Sequence, residues 1–584
     1  MRFVAGRSHG LRRRECLHSA VRGRQECLPH RIGALGWLLV VWGMGGGRAL
    51  AAAAPPVLDS LYPGGGARGG AAVKVTANGK FDAWPVKVWA DAPGLVFAAG
   101  EKSGELTATI GKDVAPGPHL VRVFTADGAS ALRCFFVGDL PLETAEIEPN
   151  DEAAKAQDLK ALPATVNGRL DKGGDVDSFA VNLAAGQTLV ASAQGRRLGS
   201  PIDPMLHLLG PDGTQVAFAH DGLGLDPLLI FTVEKAGRYV VRISAFAFPP
   251  AADVRLTGGK DAVYRLNLTT GPFVRSATPS GVTRGRRATL RLVGWNIKDT
   301  VAEVDATAVG RGVDHLDVPV AGGETRLRVE VGDGAESAEV KDAAVAPPVA
   351  FTGVIAAVGE EDDYSIRATK GQELQLALRA AGLKSPLSGL LRIMDGGGKV
   401  LASDDGGAAG DPRIAWNPPA DGVYRFVVSD LFHNGGPDFS YRLEVRRAMP
   451  ELRATLEDDV IALQPGKTAT VKVRIARTGG YANPLVAVAT GLPPGVTATA
   501  GEIGSKAAEG TITLTAVADA KPSSGPIRFL VLSTDPAHPD AVDATIDLKK
   551  EADKPGGQGF IERSRDAWLT LSATATTGPV KDAP

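Results

Sequence analysis

The chain repeats itself at a spacing of 185 residues, and that repeat constrains its fold more than any other feature. Gly168, Asp177, Phe179, Gly186-Gln187, Leu189, Ser200-Pro201, Leu206 and Leu208 recur as Gly353, Asp362, Tyr364, Gly371-Gln372, Leu374, Ser385-Pro386, Leu391 and Ile393. The register continues with Asp226-Pro227 and Asp411-Pro412, Gly237-x-Tyr239 and Gly422-x-Tyr424, and Ser244 and Ser429. After a deletion, Tyr264-x-Leu266-x-Leu268 matches Tyr441-x-Leu443-x-Val445. So many matches at one offset predict a duplicated module. A second repeat precedes each copy: Tyr62-Pro63-Gly64-Gly65 through Arg68-Gly69 is similar to Thr278-Pro279-Ser280-Gly281 through Arg284-Gly285. The duplicated unit is therefore a pair, a small block followed by a larger one.

Within each copy the apolar residues alternate. Tyr239, Val241 and Ile243 share one face of Arg238–Ile243, with Arg238 and Arg242 on the other; in Tyr264–Leu268, Arg265 and Asn267 point outward. That period of two predicts strands with one buried and one wet face. Turns are marked at Pro211-Asp212-Gly213, Ala185-Gly186 and Lys235-Ala236-Gly237. The 72 glycines and 39 prolines leave little room for long helices, while 44% hydrophobic content suffices for cores. The expected fold is all-β, a string of about five β-sandwiches over 55–139, 145–271, 272–346, 347–447 and 450–550. Residues 551–584 read as a flexible tail, with Trp568 and Leu569 adding an edge strand at most.

Residues 1–31 hold eight arginines and two acids, followed by an apolar stretch from Ile32 to Met44 and the small-residue run Ala49-Leu50-Ala51. Residues 1–51 thus have the layout of a cleaved secretory signal peptide, the apolar stretch being too short to span a bilayer. The expected location is outside the cytoplasm: secreted, periplasmic or on the cell surface. Loss of 1–51 removes nine arginines and two acids, which changes the formal net charge from −2 to −9. An acidic chain with 5% aromatic residues has no electrostatic reason to bind nucleic acid. Only Cys134 remains, beside Phe135-Phe136, so it is read as a buried core thiol; a disulfide-stapled or Cys-zinc scaffold is excluded. No integral membrane span is expected after cleavage.

The leader Glu146-Ile-Glu148-Pro149-Asn150-Asp151, then Gly168, Asp175-Val-Asp177-Ser-Phe179 and Gly237-Arg-Tyr239, resembles the bacterial pre-peptidase C-terminal (PPC) domain. The resemblance covers 145–271 well and 347–447 more weakly, since that copy lacks the leader. It implies jelly-roll-like sandwiches of the kind appended to secreted peptidases, a family that includes the collagen-binding domains of bacterial collagenases. The blocks at 55–139 and 272–346 resemble TIG-type immunoglobulin-like domains, and 450–550 a bacterial Ig-like domain.

Calcium takes six to eight oxygen ligands, and Glu146, Glu148, Asn150 and Asp151 offer four oxygen-bearing side chains within six residues. The resemblance implies that these four ligate Ca²⁺, with Asp175 or Asp177 completing the shell. Alternatively, Asn150 or Asp151 caps a short helix over Glu152–Leu159 and the Asp pair decorates a turn. The second copy keeps Glu360, Glu361, Asp362 and Asp363 without a leader, and is the poorer candidate. No G-x-S-x-G, H-E-x-x-H or P-loop motif occurs, and His119, His207, His220, His315, His433 and His538 are scattered, with His220-Asp221 in a Gly-rich turn. The basic cluster Arg284, Arg286, Arg287 and Arg291 reads as a solvated strand edge. The leading expectation is a non-enzymatic modular protein that binds an extracellular polymer (a protein fibre or polysaccharide) or a surface protein, with repetition supplying avidity. The alternative is an accessory or targeting component of an extracellular peptidase.

Overall fold

The computed structural model describes residues 54–572 apart from 141, 253, 299–300, 311–312, 321–325, 339–342, 408–409, 538 and 550–555. The expected signal peptide, His538 and the last twelve residues lie outside the described part. Among the described residues the chain is all-β, with helical structure limited to short 3₁₀ turns. No helix there is long and apolar enough to cross a membrane.

The larger sandwiches carry the duplication in their topology. In the second sandwich one sheet runs, in spatial order, Leu142–Ala145, Ala164–Arg169, Val263–Thr269, Thr188–Gln194, Asp226–Thr232 and Gly222–Leu223. In the fourth, the order is Ala335–Ala338, Val349–Val354, Ser440–Arg447, Leu374–Arg379 and Arg413–Trp416, which are the repeat counterparts of the first five. The facing sheets agree as well. Gln157–Asp158, Asp177–Leu183, Gly237–Ala247, Ile202–Leu209 and Gln215–Ala219 stand against Glu361–Ala368, Gly422–Asp430, Gly389–Met394 and Val400–Asp404. Each pair of sheets closes on its own buried cluster, around Phe179, Val241 and Tyr264 in one and Tyr364, Phe426 and Tyr441 in the other. The alternation seen in sequence is the pleat of these strands, every second side chain reaching the core.

The smaller first and third sandwiches open each unit, and the joint to the larger sandwich is built alike in both. The connecting strand, Leu142–Ala145 or Ala335–Ala338, pairs in parallel with the first long strand of the larger sandwich. It presents Glu143 or Glu336 to a buried arginine, Arg265 (2.7 Å) or Arg442 (2.6 Å). Both arginines lie on the outer face of the sheet, as the alternation requires, yet they are 0% and 1% exposed because the smaller sandwich covers them. The approach is close enough that a Cβ at Gly65 would meet Arg265 Nη1 at 2.4 Å, and one at Gly281 would meet Arg442 Nε at 2.5 Å. Gly65 and Gly281 are equivalent positions of the shorter repeat.

The fifth sandwich, from Glu451 onward, corrects the expectation of a loose tail after 550. Ala567–Leu571 is a buried strand lying between Val460–Leu463, which it pairs in parallel, and Ser523–Ser533, which it pairs antiparallel. It is an interior strand of its sheet, so Trp568 and Leu569 do more than extend an edge. Trp568 packs across the sandwich boundary onto Phe124 (4.9 Å between ring centroids) and Trp89 (6.0 Å) of the first sandwich. Arg122, 1% exposed, bonds Asp459 of the fifth at 2.7 Å. Residues just before the strand are pinned too: Gly556 N donates to Gly199 O, Gly559 N donates to Arg197 O, and Phe560 stacks edge-on with Phe136. The sandwiches therefore touch beyond their sequence neighbours. Cys134 is buried, and that burial pushes its thiol up to about 12.

Candidate metal centre

The acidic leader is placed by the strand before it. Glu146 N donates to Asn167 O (3.0 Å), Gln157 Nε2 donates to Ala145 O (3.0 Å), and Ile147 N donates to Gln157 Oε1 (2.8 Å). Arg242 holds the far end, donating to Asp151 O at 3.0 Å and to Ser178 Oγ at 3.2 Å. The leader is thus laid against the start of the strand Asp177–Leu183, where Asp175 and Asp177 sit. The alternative of a capped helix over Glu152–Leu159 is not what forms. A single 3₁₀ turn at Ala153–Lys155 gives way to the short strand Gln157–Asp158, and no side chain caps it.

A carboxylate oxygen from each of Glu148, Asp175 and Asp177 lies within 4.8 Å of the others. Asp175, Asp177 and Asn150 are all 0% exposed. Both amide atoms of Asn150, and Oδ1 of Asp151, Asp175 and Asp177, are buried without a hydrogen-bond partner among the described residues. A buried polar atom left unpartnered costs about 1–3 kcal/mol, more when charged, so five in one corner is a conspicuous debt for a folded chain to carry. The carboxyl groups face one another in pairs, Asp151 with Asp175 and Glu146 with Asp177. Burial, then the neighbouring Glu146, pushes Asp177 up to about 9. Burial likewise pushes Glu146 up to about 7 and Asp175 up to about 6. The nearby cation Lys172 is solvent-exposed, its Nζ 3.6 Å from Asp151 and 3.9 Å from Asp175.

The six residues singled out from sequence do not play equal parts. Glu146 is already engaged: its Oε2 accepts from Arg169 N (2.8 Å) and from Tyr264 Oη (3.0 Å), and its Oε1 lies 3.5 Å from Tyr62 Oη of the first sandwich. Glu148 accepts from Asn150 N at 2.9 Å. Asp175 Oδ2 accepts from Asp171 N. Tyr264, which the motif reading missed, is the keystone: its Oη also lies 2.6 Å from Asp177 Oδ2, so its one hydroxyl hydrogen is shared between the two carboxyl groups. Gly168 makes room for it, since a Cβ there would meet Tyr264 Oη at 2.2 Å and Glu146 Oε2 at 2.5 Å. The repeated Gly and Tyr were the available signal.

The fourth sandwich treats the same positions differently. Asp362, counterpart of Asp177, accepts from Tyr441 Oη (2.5 Å), and Tyr441 is hydrogen-bonded in turn to Tyr364 Oη (2.6 Å). Tyr364 stands where Phe179 stands in the first copy. The other acids disperse: Glu361 pairs with Arg392, Asp363 with Arg425, and Glu360 accepts from Ala357 N. Hydroxyl donors and arginines there engage these carboxylates, although Asp363 Oδ1 is left without a hydrogen-bond partner among the described residues. The chain matches no protein-family model and no curated protein.

Of the remaining candidates, Arg284 ties its own turn together, through Asp333 and the carbonyls of Gly310 and Val313, and Arg287 pairs with Asp305. His119 has both ring nitrogens engaged, by Asp91 (2.8 Å) and Ala115 O (2.7 Å).

Proposed function

We propose that the chain is an exported, non-enzymatic modular binding protein whose second sandwich is a PPC-like module held in its working form by one Ca²⁺. The observation that carries the calcium reading is the set of buried, unpartnered oxygens at Asn150, Asp151, Asp175 and Asp177 beside Glu148. An all-oxygen, carboxylate-rich donor set suits a hard cation that accepts irregular geometry. Those residues would ligate the ion, while Glu146, held by Tyr264 and Arg169, orients Asp177. The ion supplies charge compensation and cross-links the leader to the strand at Asp177. Because the leader continues from the joint strand Leu142–Ala145, its fixation also stiffens the link to the first sandwich, where Tyr62 reaches Glu146. A stiff repeated pair of modules is a suitable scaffold for avid attachment to an extracellular polymer or a surface partner.

The test is a thermal melt of the chain lacking residues 1–51, in EDTA and in 10 mM CaCl₂ (roughly 100 times a dissociation constant near 10⁻⁴ M). Saturation of that order adds about 2.7 kcal/mol to the transition that includes the second sandwich. Superimposable curves in the two buffers would remove the calcium reading. The attachment reading is tested by retention of the calcium-loaded chain on collagen, peptidoglycan and polysaccharide matrices, and fails if none retains it.

A further inference from the structure

A second constellation lies in the same sheet as Asp177–Leu183, two strands away. Asp203 is on the strand Ile202–Leu209, whose antiparallel register pairs Leu206 with Ala219 at the end of the edge strand Gln215–Ala219. The chain then turns, bringing His220 and Asp221 alongside Asp203. His220 Nε2 lies 3.3 Å from Asp203 Oδ2, and His220 Nδ1 lies 3.7 Å from Asp221 Oδ2. One ligand atom from each of the three falls within 4.8 Å of the other two.

The contact between Asp203 and His220 is close but is not aligned as a hydrogen bond. His220 Nε2 and Asp203 Oδ1 are both buried atoms without a hydrogen-bond partner among the described residues. Burial holds the Asp203 carboxyl above its usual range. The neighbouring Asp226 adds negative potential and is itself fully used, by the backbone of Gly195 and Arg196 and by Arg197. Two carboxylates thus face one imidazole. A tetrahedral ion with bonds of about 2.0–2.2 Å sets its ligand atoms roughly 3.3–3.6 Å apart, the separation found between Asp203 and His220. The sandwich does not need this trio: at the equivalent positions the fourth sandwich has Ser388, Asp405 and Gly406 on the same topology.

We propose that Asp203, His220 and Asp221 form a second, separate metal centre for a divalent cation of the zinc type, bound through His220 Nε2 and the two carboxylates with a fourth position open to water. A nitrogen ligand and two carboxylates favour a borderline cation over calcium, which asks for six or more oxygens. Asp221, 56% exposed at its side chain, supplies the outer carboxylate.

The experiment uses the untagged chain lacking residues 1–51, stripped with EDTA and then saturated with Ca²⁺ so that the acidic leader is occupied. Titration with Co²⁺ is expected to give a visible tetrahedral d–d spectrum that saturates at one ion per chain and is displaced by Zn²⁺. His220→Asn abolishes the spectrum, and Asp221→Asn weakens binding by roughly tenfold or more; both retain the calcium-dependent rise in melting temperature, which certifies their folding. No spectrum from the calcium-saturated chain, or the same spectrum from His220→Asn, overturns the proposal. Loss of the calcium response alone, with the cobalt spectrum kept, contradicts the calcium reading and leaves this centre standing.

Discussion

Asp177 concentrates the physics of the acidic corner in one side chain. It is 0% exposed, one oxygen accepts from Tyr264, and the other has no hydrogen-bond partner among the described residues. Without a cation, such a carboxyl is folded most easily when protonated. Between its ordinary value of 3.8 and its folded value of about 9, the folded chain keeps a proton that the unfolded chain has released. Glu146 and Asp175 act in the same sense over narrower windows. Stability of the metal-free protein therefore falls as pH rises from about 4 toward 9. Calcium displaces those protons, so its affinity rises over the same range. Melting temperatures in EDTA from pH 5 to pH 8 are expected to decline steadily and to level out when Ca²⁺ is added; a metal-free chain that gains stability with pH contradicts this. The acids themselves were legible in the sequence, because four stand within six residues and two more flank a strand start. Tyr264 was not legible as their donor, since its bond to Asp177 spans 87 positions. Nor was Asp203 as the partner of His220, which only strand register brings together.

At the scale of strands and joints, periodicity told which face of a strand is which but not what covers it. Arg265 is outward from its own core, as the alternation predicts, and is nevertheless sealed by the first sandwich against Glu143. The same device recurs at Arg442 and Glu336, so the duplication copied a joint as well as a fold. Removing one partner of a buried ion pair leaves the other charge uncompensated, which is worth about 3–5 kcal/mol. Arg442→Met is accordingly expected to lower stability by about that amount in chemical denaturation, and Arg442→Met with Glu336→Leu to recover much of it. A single variant indistinguishable from the parent would show that the joint is open in solution. The interior position of the strand Ala567–Leu571, read from sequence as an edge strand at most, was not legible because it is one short apolar run in a Gly- and Ala-rich stretch, and its partners lie far upstream, at Val460–Leu463 and Ser523–Ser533.

Across the whole described chain, five cores are linked by more than their connecting segments. Leu120 and Leu132 of the first sandwich belong to the buried cluster of the fifth, and Trp568, 2% exposed, is shared between them. The sequence repeat predicts the sandwiches but is silent on this contact, since the fifth block has no repeat partner. Trp568→Ala empties a large buried site and is expected to cost about 3–5 kcal/mol, read as earlier unfolding of the fifth sandwich with the second keeping its calcium response. Equal loss in both would mean that all five melt as one unit. The duplicated sandwiches also make the calcium account countable: one copy gathers unpartnered oxygens, and the other satisfies its Asp362 with Tyr441 and Tyr364. The most direct test is a calorimetric titration of the EDTA-stripped chain with Ca²⁺, beside the Asp177→Asn variant. The account predicts one site per chain, lost in the variant. Two equivalent sites, or binding unchanged by the substitution, would contradict it.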